Sequence, residues 1–106
     1  MTRVGIAGMA SKSSKDHAAA LAALPSLGAR SAQMLIEAGV PDVKTLRKLG
    51  PLGSFRSLRF HFGRRVSLNF VYAIECAVRG MDWRRLEAER KAELQSAARR
   101  IIEELG

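Results

Sequence analysis

Residues Leu24 to Ser31, reading LPSLGARS, join a turn to the opening of a helix and set a guanidinium and hydroxyls beside it. Pro25 fixes φ and ends the helix before it, while Gly28 permits backbone conformations that other residues resist. The next helix opens with N–H groups that have no partner inside it, and such a terminus seats a phosphate. This is the layout of a helix-hairpin-helix, a motif that grips nucleic-acid backbone without reading bases. In it the N–H groups of Leu27, Gly28 and Ala29 face a phosphate, with Arg30 adding charge and Ser31 a hydroxyl. Ser26 stands where hairpins that grip DNA carry the first of two glycines, and its Cβ makes close backbone approach harder. The same layout also serves simply to pack two helices, so grip and scaffold both stay open.

A second constellation is electrostatic. From Lys44 to Arg65 every charged residue is basic: Lys44, Arg47, Lys48, Arg56, Arg59, Arg64 and Arg65. Apolar residues keep helical spacing between them, which places the cations on the exposed sides of folded helices rather than on a loose tail. Such a cluster neutralises several phosphates, and its binding to duplex DNA falls with salt by a log–log slope of about −0.9 per phosphate. A solvated surface in an arginine-rich protein gives the same pattern.

Residues for catalysis are sparse. His17 and His61 have no spaced Asp or Glu companion to suggest a triad or a metal site, and Cys76 sits in an apolar segment that would bury its thiol. The reading is therefore of no enzyme, no cofactor and no metal. Asn69, Tyr72 and Glu75 interrupt the same segment and need hydrogen-bond partners if buried, a ligand-binding cluster being the alternative to structural hydrogen bonding. Glu75 is expected to pair with Arg79 one turn later, or with an arginine from another helix. Trp83 is expected to cover one end of the core, with a role at an interface as the alternative.

Bulk properties agree with an anionic partner. The 106 residues carry a net charge of +8 and a sequence pI of about 10.8, which favours DNA, RNA or an acidic protein surface. One domain of this size buries roughly two-thirds of its unfolded surface. A hydrophobic fraction of 47% with 26% charged residues is that of an ordinary soluble globular chain. The single cysteine rules out an internal disulfide and fits a reducing cytoplasm. No apolar run approaches the roughly 20 residues that span a membrane, and Val4–Ala10 is too short and glycine-interrupted for a signal peptide.

The elements that must position these residues are helical. Residues 1–15 read as a flexible tail and 16–106 as one domain. Asp16 caps a first helix through Ala18–Leu24, and Ala29–Ala38 forms a second that stops at Gly39. Asp42 caps Val43–Leu49, whose Val43, Leu46 and Leu49 recur every three residues before Gly50-Pro51 breaks the helix. In Leu52–Phe62, Leu52, Phe55, Leu58 and Phe62 share one face, leaving Arg56, Arg59 and His61 outside. Ser67 is a candidate cap for Leu68–Arg79, which is apolar nearly all round and so reads as the buried central helix. After Gly80 and a turn at Asp82, the last helix runs over about Leu86–Leu105 with Leu94, Ala97, Ala98, Ile101, Ile102 and Leu105 on one side.

From about Leu21 to Leu94 the chain resembles the C-terminal domain of the TfoX/Sxy family of bacterial competence-associated proteins. The matching stretches are LPSLGARSAQMLIEAGV (Leu24–Val40), TLRKLGPLGSFRSLR (Thr45–Arg59) and VSLNFVYAIECAVRGMDWRRL (Val66–Leu86). The third is the most specific, combining SLN-x-x-YAIE with RG-x-x-W. The resemblance implies an all-α fold, a five- or six-helix orthogonal bundle containing a helix-hairpin-helix (SAM-domain-like) unit, with no enzymatic activity. Full-length members carry a further N-terminal domain, so this chain reads as a stand-alone C-terminal domain. The function expected is a non-enzymatic cytoplasmic regulatory or accessory protein that binds DNA backbone non-specifically. The alternative is an interaction module that docks on another regulator or pairs with itself as a homodimer, away from membranes.

Overall fold

A computed structural model describes residues 16–105; the expected tail over 1–15 lies outside the described residues. The fold is all-α. Helix α1 covers 16–22, α2 Ala29–Glu37, α3 Val43–Phe62, α4 Asn69–Arg79 and α5 Ala88–Leu105, with short 3-10 turns at Gly63–Arg65 and Trp83–Arg85. One apolar cluster draws on every helix, from Leu21 in α1 and Leu35 in α2 to Phe55 and Leu58 in α3, Ile74 in α4 and Leu94 in α5.

Helix α3 is the hub, packing against α2, α4 and α5. It is two segments under one name. Gly50 breaks it with φ 73° and ψ −177°, a backbone state open essentially to glycine, and Pro51 starts the second segment where a missing N–H costs nothing. The break predicted at Gly50-Pro51 is therefore present, as a kink between two helical segments. Asp42 caps the first as expected, its Oδ1 accepting from the Thr45 N–H at 2.7 Å. The hydrogen bond from Thr45 is the main reason its carboxyl is held below the usual range.

Four expectations change. Asp16 lies within α1 rather than ahead of it, and that helix ends at residue 22. Ser67 does not cap α4: Leu68 occupies the N-cap with no side-chain bond, and the Phe70 N–H is taken by the Ser67 carbonyl at 3.1 Å. Helix α4 is not encircled, since α3 and α5 cover Val71, Ile74 and Ala77 while Asn69 is exposed and Tyr72 and Ala73 are only partly covered. Trp83 does not close the core. It is 62% exposed, because Gly80 ends α4 in a left-handed cap and Asp82 starts a 3-10 turn that carries the indole outward.

Glu75 is buried and held from both sides, as its sequence required. Its carboxylate accepts from Arg90 of α5 at 2.7 and 3.3 Å and from Arg79 at 3.4 Å. Arg79 turns to Glu87 and Arg90 to Glu93, so the chain of ion pairs ties α4 to the start of α5. Cys76 is fully buried, and burial first of all, then the adjacent Glu75, raises its thiol pKa and keeps it in the unreactive form.

Candidate functional site

The hairpin is built from α1, a tight turn and α2. Ala23 and Leu24 close the end of α1 by donating to Ala19 and Leu21, and the Leu27 N–H then donates to the Leu24 carbonyl at 3.2 Å. That bond removes the Leu27 N–H from the set expected to face a phosphate. Its side chain instead fills the core beside Leu21. Ser26 adopts φ 68°, the left-handed conformation that the glycine of such hairpins takes without strain. The cost is roughly 1–2 kcal/mol, against roughly 2 kcal/mol from burying Leu27, so the turn holds despite its serine.

Helix α2 begins without a side-chain cap and with no acidic residue in its first turn. Its first internal bond is Ala32 N–H to Gly28 carbonyl at 2.9 Å, which leaves the N–H groups of Ala29, Arg30 and Ser31 without intrahelical acceptors. Gly28 is extended, at φ −130°, and a Cβ added there would meet nothing within 4 Å. The protein's own packing therefore leaves the approach to this terminus open.

The basic residues divide around the kink. Lys44, Arg47 and Lys48 lie before Gly50, exposed and in no ion pair among the described residues. Beyond it, Arg56 pairs with Glu104 of α5, and Arg59 is half-buried and donates to the Val66 carbonyl at 3.1 Å, so both serve the fold. Arg64 and Arg65 sit exposed in the 3-10 turn. Of the expected set, Arg65 alone of the Lys44–Arg65 cations joins the hairpin: Arg30 and Ser31 share with it a groove of about 350 Å³ floored by Met34, Phe62 and Phe70. Lys44, Arg47 and Lys48 do not line that groove.

Ser31 and Phe70 also line a smaller neighbouring hollow with Asn69 and Ala73. Asn69 and Ala73 continue into a third, of about 510 Å³, where Ser26, Tyr72, Trp83 and Lys91 meet. The Lys91 ammonium lies 5.2 Å over the Tyr72 ring, a cation–π contact that fixes its position. The hairpin thus looks at the uncovered side of α4 across three adjoining hollows that share lining residues, together a trough. Trp83, an aromatic set among arginines in GMDWRR, lines this trough rather than the core, and Lys91 is a lining residue that nothing in the sequence marks.

His17 and His61 are both exposed, His61 lying edge-on to Phe62 at 4.6 Å between ring centres. No cluster of three or more metal-ligating side chains occurs among the described residues, and no helix among them is long and apolar enough to cross a membrane.

Comparison with known proteins agrees with the architecture. The crystal structure of an uncharacterized protein from Listeria monocytogenes, in a triclinic form, superposes with a TM-score of 0.71 at 30% sequence identity, covering 76% of this chain and 91% of that one. No curated protein matches the chain. The model of the TfoX C-terminal domain matches residues 17–98, which takes in the hairpin, the kinked α3, the trough and the first half of α5, and the chain accordingly belongs to the TfoX C-terminal domain family.

Proposed function

We propose that this protein is a non-enzymatic regulatory or accessory module of the competence-related kind that its family suggests, acting by non-specific contact with nucleic-acid backbone. The observation that carries the proposal is the meeting of Arg30 and Ser31, at the uncapped start of α2, with Arg65 in one open groove. Guanidinium groups and unsatisfied N–H groups are the donors that phosphate oxygens accept from, and they carry no base specificity. Lys44, Arg47, Lys48 and Arg64, exposed and in no ion pair among the described residues, add positive charge for a longer backbone.

Salt-dependent gel retention tests this. Duplex DNA should be retained at low salt, and Arg30→Glu and Lys48→Glu should each weaken retention and lower the log–log salt slope by about 1. No retention at low salt, with neither reversal having any effect, would sink the proposal. A second reading, docking on a protein partner or on a second copy, is favoured by Phe60, which is 82% exposed beside His61 and Leu105. On that reading Phe60→Ser, and not Arg30→Glu, abolishes association seen by light scattering.

A further inference from the structure

We infer that the trough between the hairpin and α4 takes a single strand of nucleic acid, with a base stacked on Trp83 and the phosphates led past Lys91 towards Arg30 and Arg65. This rests on the backbone-binding proposal and names the form of nucleic acid that the site accepts. Trp83 is the chain's only tryptophan and is 62% exposed, although an indole left in water forgoes a large burial gain. Its turn is held: the Asp82 carboxylate accepts from the Arg84 N–H and from its guanidinium, each at 3.0 Å. The ring is therefore presented on a fixed support and costs little entropy to use.

Aromatic and cationic groups alternate from there. Trp83 and Tyr72 share the hollow of about 510 Å³ with Lys91, and Phe70 lies at the other end with Arg30 and Arg65. Hydroxyl and amide groups of Ser26, Ser31 and Asn69 stand between them. No carboxylate is among the described residues lining these three hollows. Charge thus selects an anionic chain, and the interleaved rings select one with flat apolar faces. An acidic peptide satisfies the first condition alone. A duplex hides its base faces in its own stack, whereas a single strand offers them to an aromatic platform without sequence preference.

The sole tryptophan makes the test direct. Titration with a twelve-nucleotide oligothymidylate should quench Trp83 fluorescence saturably, less so as salt rises, while a duplex of equal phosphate content and a polyglutamate of equal charge should quench little. Anisotropy of the labelled oligonucleotide should report a loss of about tenfold or more for Trp83→Ala, and Arg30→Glu with Arg65→Glu should weaken binding while leaving the circular dichroism spectrum intact. Equal quenching by duplex or polyglutamate, or full affinity in Trp83→Ala, would overturn the inference. Duplex retention in gels without any oligothymidylate quenching would overturn it while leaving backbone binding standing; binding of neither overturns both.

Discussion

A serine at φ 68° holds its Cβ close to the neighbouring carbonyl, a conformation that costs an L-residue roughly 1–2 kcal/mol. Glycine at Ser26 would relieve that strain but loses more freedom on folding, by roughly 0.5–1 kcal/mol. The relief is the larger quantity, so Ser26→Gly should stabilise the fold by about 0.5 kcal/mol and raise the urea midpoint; a lowered midpoint would mean that the serine side chain supports the turn. The spacing of LPSLG alone puts Ser26 in a glycine position, and the positive φ is the physical content of that position. What the spacing did not reveal is that Leu27 spends its N–H inside the turn and its side chain in the core. A pattern of residue types says that a turn exists, but the partner of each N–H depends on where the chain bends.

Among the elements, the kink in α3 decides where the cations go. Gly50, at φ 73° and ψ −177°, separates the segment carrying Lys44, Arg47 and Lys48 from the one carrying Arg56 and Arg59. A Cβ at Gly50 would meet no neighbouring atom within 4 Å, so the cost of Gly50→Ala is conformational alone. We expect a loss of about 1–3 kcal/mol, read as a lowered denaturation midpoint; an unchanged midpoint would mean that the helix straightens through the site at no cost. The helices, the break at Gly50-Pro51 and the Asp42 cap were legible because each is written in a few adjacent residues. The place of α4 and the direction of Trp83 were not. Apolar residues on nearly every side of α4 announce burial, yet which side α3 and α5 leave open is settled by tertiary packing. Leu49, 40% exposed despite its regular spacing, departs likewise, at the last position before the Gly50 break.

For the molecule as a whole, charge governs the response to acid. The chain carries 18 lysines and arginines against 10 aspartates and glutamates, so protonating the carboxylates leaves the cations unopposed. The same cation excess makes the fold depend on its few well-placed acids. Glu87 is the clearest of them. Two hydrogen bonds from Arg79, at 3.0 and 3.1 Å, and then a backbone N–H hold its carboxyl down to about 2 from the usual 4.5. A carboxyl with a lower pKa in the folded state stabilises the fold above its unfolded value and loses that contribution as pH falls through the folded one. The contribution of Glu87 is therefore complete above about pH 4.5 and drains away between there and about pH 2. Added salt should soften the accompanying repulsion among exposed cations, while leaving the partly shielded Glu75–Arg90 contact less affected. Urea midpoints measured from pH 7 down to pH 2.5 should fall most steeply in the lower half of that range, and Glu87→Gln should be less stable at pH 7 yet lose less on acidification. A variant whose midpoint falls as steeply as the parent's would show that Glu87 does not tie α4 to the start of α5, and that repulsion among the cations alone drives acid unfolding.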